Sequence, residues 1–175
     1  MRIIAALLML GQLSMSFAEP LTHEMKNFMR LAAAKNGDQY GFTKEDAQQY
    51  LGITWGKSPR RGAIYESTEH LAKVPDQSTF EYSANRGTRI LTLYFTEPVK
   101  PFIKAIERLH GFEAAWFPRQ QANGLPIHYF EGKNPSEFIP TRKLWIRIYE
   151  CADKPQTPCI RRAQLIFAKP GAVFQ

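Results

Sequence analysis

Hydrophobic positions along this chain recur first at helical spacing and later, for the most part, in alternation. From Leu21 to Lys35, Met25, Phe28, Met29 and Ala32 fall on one helical face, with Thr22 as N-cap and Asn36-Gly37 as the stop. Thr43-Lys44-Glu45-Asp46 opens a shorter helix that runs through Leu51 and ends at Gly52. Trp55 to Gly62 reads as a loop, with Lys57, Arg60 and Arg61 packed around Pro59. Thr79–Ser83 and Thr88–Thr96 alternate as strands joined by the turn residues Ala84-Asn85-Arg86-Gly87. In the second strand Leu91, Leu93 and Phe95 share one face, and Ile90, Thr92 and Tyr94 the other.

Val99 to His110 has the spacing of an amphipathic helix, with Val99, Phe102, Ile103, Ile106 and Leu109 as its buried stripe and Gly111 as its left-handed terminus. Phe112–Phe117 is expected as a strand and Pro118–Pro140 as a long polar-aromatic loop. Lys143–Glu150 and Ile160–Ala168 form a last hairpin. Helices first, then sequential strands, predict an α+β single domain: N-terminal helices plus a mainly antiparallel sheet packed on one central amphipathic helix.

The N-terminus changes the setting. Met1-Arg2, an apolar run from Ile3 to Met15 broken by Gln12, and Ser16-Phe17-Ala18 have the three parts of a secretory signal, with cleavage expected after Ala18. The run is shorter than the ~20 residues that span a bilayer, and no Cys stands at the cut for lipid attachment. The expected working unit is therefore residues 19–175, with no transmembrane segment, in a periplasm or secreted beyond it.

Charge and cysteines follow from that setting. The whole chain carries a net charge of +7; without Arg2 the remaining 157 residues hold 22 Lys and Arg against 16 Asp and Glu, a net of +6. Such a surface attracts acidic proteins or anionic envelope polymers, while export argues against nucleic acid as the partner. Cys151 and Cys159 flank Ala152-Asp153-Lys154-Pro155-Gln156-Thr157-Pro158, and in an oxidising compartment are expected to pair across the last hairpin. Their spacing is not the C-x-x-C of a redox pair, so the bond reads as a clip worth about 2–3 kcal/mol.

Catalytic motifs fail on inspection. Gly52-Ile53-Thr54-Trp55-Gly56-Lys57-Ser58 has three residues between its glycines where a phosphate loop has four, and it follows a helix. Glu66-Ser67-Thr68-Glu69-His70 resembles H-x-x-E-H with a Glu in the first ligand's place, and Ser67 capping a short helix explains it better. His23, His70, His110 and His128 follow no ligand spacing, although His128 stands out in the long loop. No G-x-S-x-G or S-x-x-K occurs. Carboxylate pairs meet only in a fold, and Glu66, Glu81, Glu113 and Glu131 are equal candidates.

Two surface patterns remain. Lys100, Lys104 and Arg108 recur every four residues opposite the apolar stripe, the pattern of a solvated helix face. In Lys143-Leu144-Trp145-Ile146-Arg147-Ile148-Tyr149 the alternate residues Lys143, Trp145, Arg147 and Tyr149 oppose an aliphatic face. That basic-aromatic row either binds an anionic partner or lies beneath another element with the arginine stem covering the rings. Arg161, just past Cys159, would add charge. The residues thus predict a binding protein without cofactor or catalysis, of the inhibitor or immunity kind, with an envelope hydrolase using carboxylates or a metal as the alternative.

Overall fold

The computed structural model describes residues 21–58, 64–67, 78–85, 87–99, 102–115, 127–136, 138–151 and 159–169, with residues 96–99 described through their backbone. The expected leader lies outside these residues.

The helix-capping residues act as their chemistry dictates. Helix α1 (His23–Lys35) begins where the Thr22 hydroxyl accepts from the Met25 amide at 3.3 Å. Helix α2 (Lys44–Leu51) begins in a reciprocal box: the Asp46 amide donates to the Thr43 hydroxyl, and the Thr43 amide to the Asp46 carboxylate at 2.8 Å. It ends at Gly52, whose φ of +68° lets its amide reach the Gln48 carbonyl. Lys35 of α1 ties the two helices through Asp46 at 2.9 Å. Partial burial works against the Lys35 ammonium, but Asp46 and Asp38 outweigh it and hold its pKa above the usual lysine value.

The strands are β1 (Trp55–Lys57), β2 (Ile64–Ser67), β3 (Thr79–Asn85), β4 (Thr88–Val99), β5 (Phe112–Ala115), β6 (Ile127–Gly132), β7 (Lys143–Glu150) and β8 (Ile160–Ala168). They form one antiparallel sheet in the order β1-β2-β3-β4-β8-β7-β6-β5. The last strand in sequence therefore fills the centre, between β4 and β7. One face of this sheet meets the helices: Phe80, Tyr82, Leu91, Leu93, Ile146, Ile148, Leu165 and Phe167 form a single core with Phe28, Leu31, Phe42 and Leu51. Cys151 and Cys159 are disulfide-bonded with their Cα atoms 5.5 Å apart, closing the β7–β8 end as expected. Among the described residues no helix is long and apolar enough to cross a membrane.

Three local expectations are corrected. The central helix is a single short turn, α3 (Ile103–Glu107), because Val99 belongs to β4 and because Pro101 biases the residue before it away from helical backbone. Phe102 and Ile106 still enter the core, and they share it with Met25, Phe28, Leu31 and Ala32 of α1 and Ala47 and Leu51 of α2. Trp55–Lys57 is a strand and not a loop: the Trp55 indole donates to the Lys44 carbonyl at 3.1 Å, pinning this edge to α2. Ile127–Gly132 is a strand inside the expected long loop. Ser67 closes β2, buried, with its hydroxyl accepting from the Phe80 amide at 3.2 Å, and the helix it was expected to cap would lie outside the described residues. Glu69 and His70 of the same motif lie outside the described residues.

Candidate functional site

Among the described residues no helix belongs to the cluster on the second face of the sheet, and the side chains there line up in rungs across the strands. One rung runs Glu66, Glu81, Thr92, Gln164, Arg147, Tyr129, Ala115 from β2 to β5. The rung on one side of it reads Thr79, Tyr94, Arg162, Tyr149, Ile127. On its other side lie Ser83, Ile90, Ile166, Trp145, Glu131 and Glu113. Neighbouring strands stand about 4.8 Å apart, so each rung is a row of side chains at that spacing.

The expected basic-aromatic row divides on this grid. Trp145 is 2% exposed and packs in a satellite core with Tyr129, Ile166 and Ala168. Tyr149 is 8% exposed. Neither ring is offered to a partner, which corrects the expectation that they form an outward surface; the aromatic bodies are buried and the cations lie over them. Arg147 is half-buried, with its guanidinium 5.1 Å from the Tyr129 ring and 5.7 Å from that of Tyr149. Lys143 is also half-buried and is paired with Glu131.

Arg161 departs from expectation for a reason of register. Tyr149 pairs with Arg162 while Glu150 pairs with Ile160, so β8 holds one extra residue and Arg161 is the bulge. It is exposed, and Arg162 takes the place opposite Tyr149, its guanidinium 3.7 Å from the ring centroid.

Hydrogen bonds join the grid into a chain. The Arg147 guanidinium donates to the Tyr149 hydroxyl at 2.7 Å, which donates to the Gln164 amide oxygen at 2.6 Å. The Gln164 nitrogen donates in turn to the Thr92 hydroxyl at 3.2 Å. One strand further, Tyr94 donates to Glu81 at 3.1 Å. Burial, and then the Glu81 carboxylate, push the Tyr94 phenol above its ordinary value although Arg162 opposes them. Burial raises Tyr129 likewise, against the pull of Arg147. Both phenols are thus held as neutral hydrogen-bonding groups at physiological pH.

The candidate carboxylates fall into two facing pairs, Glu66 with Glu81 and Glu113 with Glu131. Lysines answer the second pair: Lys133 reaches Glu113 at 3.5 Å and Lys143 reaches Glu131. His128 is not a loop residue but a β6 residue bound to Glu150 at 2.6 Å. His23 bonds Asn27 within α1 at 2.8 Å, and His110 is exposed in the turn after α3. Among the described residues no three His, Cys, Asp or Glu side chains gather where they could hold a metal. Lys104 and Arg108 are exposed, as a solvated face requires; Lys100 lies outside the described residues.

A second surface was not anticipated. Tyr40 and Phe138 are 59% and 72% exposed, the two large apolar side chains so displayed among the described residues. Phe138 lines a shallow depression of about 250 Å³ with Gly37, Asp38 and Gln39 of the α1–α2 connection. Its signal in the sequence is an aromatic residue between Pro135 and Pro140 that belongs to no periodic run. No protein-family model, no curated protein and no solved structure matches this chain.

Proposed function

We propose that the chain is an exported, periplasmic binding protein without a reaction of its own, engaging an acidic protein partner in the manner of an inhibitor or immunity-type protein. The observation that carries this reading is the display of Phe138 and Tyr40 beside a shallow depression. Leaving a Phe ring in water forgoes about 1.5–3 kcal/mol of burial, so a fold that, Tyr40 apart, covers the other large apolar groups among its described residues gains by covering this one with a partner. The chain's positive charge steers an acidic partner in, and Arg161 on its bulge and Lys143 contribute to that field.

Phe138→Ala is expected to weaken capture of the partner roughly 30-fold, about 2 kcal/mol, with the melting temperature unchanged. The measurement is recovery from envelope extract by the wild-type and variant proteins, with the recovered species identified. An acidic protein held by the wild type, lost with the variant and released by salt supports the reading. Equal recovery by both proteins, or recovery of an anionic polymer instead, overturns it.

The hydrolase alternative rests on Glu66 facing Glu81, with Tyr94 on Glu81. Cross-strand Cβ atoms lie about 4.5–5.5 Å apart, compatible with the ~5–5.5 Å between carboxyls of a retaining glycosidase. For a binding protein, Glu81→Gln leaves partner capture within about twofold of wild type, and neither protein releases sugar from envelope glycan. Sugar release by the wild type that Glu81→Gln abolishes would establish the alternative.

A further inference from the structure

Phe138 stands in a loop closed by its own hydrogen bonds. The Ser136 amide donates to the Arg142 carbonyl at 3.3 Å, and the Arg142 amide to the Ile139 carbonyl at 2.8 Å. The Ile139 amide donates to the buried Ser136 hydroxyl at 3.2 Å. One tight loop therefore carries both Phe138 and Arg142. The Arg142 side chain crosses to the turn between β3 and β4, where Gly87 has φ at +84°. A Cβ on Gly87 would stand 2.6 Å from the Arg142 Cζ and 2.7 Å from its Nη1, so the guanidinium lies where a side chain would otherwise be.

We infer that Arg142 selects the partner at the Phe138 surface by taking a carboxylate that the partner carries beside an apolar side chain. This rests on the reading of Phe138 as a docking surface and names the chemistry of what docks there. Lys143 pairs with Ala168 in the antiparallel β7–β8 ladder, so the register sets Lys169 beside Arg142 as a second cation. Among the described residues no ion pair reaches either of them. Lys143, by contrast, is already held by Glu131. On the other side of Phe138, Asp38 lines the depression, takes the Tyr40 amide at 2.8 Å and shares Lys35 with Asp46. Two carboxylates on one lysine leave that side negative. An apolar group seated on Phe138 therefore has its acidic neighbour repelled from Asp38 and drawn toward Gly87. There the guanidinium offers a fork of N–H groups that matches a carboxylate. Its packing on Gly87 orders the side chain before the partner arrives, which lowers the cost of binding.

The test compares wild type with Arg142→Gln and Arg142→Lys, each with its melt recorded. Amide shifts around Gly87, Phe138 and Arg142 follow titration with N-acetylphenylalanine, which has a ring and a carboxylate, and with its amide, which has the ring alone. Wild type is expected to bind the acid roughly fivefold more tightly than the amide at low salt, with the gap closing as salt rises. Arg142→Gln should lose that preference and keep its binding of the amide. Arg142→Lys should recover part of it, since a lysine keeps the charge without the fork. In capture from envelope extract, Arg142→Gln should recover the acidic partner roughly tenfold more weakly than wild type. Equal binding of acid and amide, no binding of the acid, or a preference that survives in Arg142→Gln would each overturn the inference. Capture lost with Phe138→Ala but kept by Arg142→Gln would also overturn it, while leaving the docking surface in place. Should the extract hold no partner for wild type, the docking reading fails, and the acid preference still decides the role of Arg142.

Discussion

Trp145→Ala is expected to cost about 3–5 kcal/mol of stability, because the indole is 2% exposed and its removal leaves a cavity among Tyr129, Ile166 and Ala168. For a domain of this size that lowers the melting temperature by roughly 6–20 °C. Ile90, Ala115 and Ile127 pack against the same cluster from β4, β5 and β6. Collapse around the hole would have to draw in strands held by the ladder, so relaxation can recover only part of the loss. Trp145→Phe, which keeps a ring in place, should fall between the two proteins. Partner capture by the alanine variant, measured well below its melt, should stay near wild type, since the ring is not presented outward. A melt within about 2 °C of wild type would mean the indole is not packed as the structure has it, and would restore Trp145 as a binding residue.

That outcome turns on a distinction the alternating pattern could not make. Lys143 to Tyr149 announces a strand with two different faces, and β7 spans the expected residues. Whether the basic-aromatic face is open or covered depends on what lies above it, and alternation is silent on that. The caps were legible because they are local chemistry: Thr22, Thr43 and Gly52 act through neighbours within four residues. Strands β1 and β2 were missed because three or four residues around Gly56 or Glu66 hold too little alternation to see. Strand β6 is visible only through its partner, since Phe130 and Tyr129 face opposite cores under a ladder with β7.

Arg162 was hidden by the bulge. Counting from Cys159 puts Arg161 beside the row on β7, and one extra residue in β8 shifts the pairing so that Arg162 stands opposite Tyr149 instead. The short α3 shows the opposite error, in which helical spacing between Val99 and Leu109 was read across Pro101. In both places a single residue that breaks the regular repeat outweighs the repeat. The exposed surface at Phe138 is legible only in reverse, as an apolar residue that no element accounts for.

Gly41→Ala joins the core to that surface. Gly41 lies in the connection between α1 and α2 with φ at +67°, between exposed Tyr40 and fully buried Phe42. A Cβ there would stand 2.6 and 2.7 Å from the two Cδ atoms of the Phe167 ring, itself buried at the centre of the sheet. Left-handed backbone costs a non-glycine residue about 1–2 kcal/mol, and forcing a methyl against a packed ring adds about 1–3 kcal/mol. The expected loss is therefore roughly 2–5 kcal/mol. Gly52→Ala supplies the control, since Gly52 has nearly the same φ, +68°, and nothing within 4 Å of the added Cβ. It should lose only the backbone part, about 1–2 kcal/mol, so the difference between the two melts measures the Phe167 contact. Relieving the clash means moving the Gly41 backbone away from the sheet, which carries Tyr40 with it. Partner capture by the Gly41 variant should therefore weaken even where it remains folded, while the Gly52 variant binds as wild type. Equal melts for the two variants would show that the Gly41 connection yields freely and that Tyr40 is not held by the core beneath it.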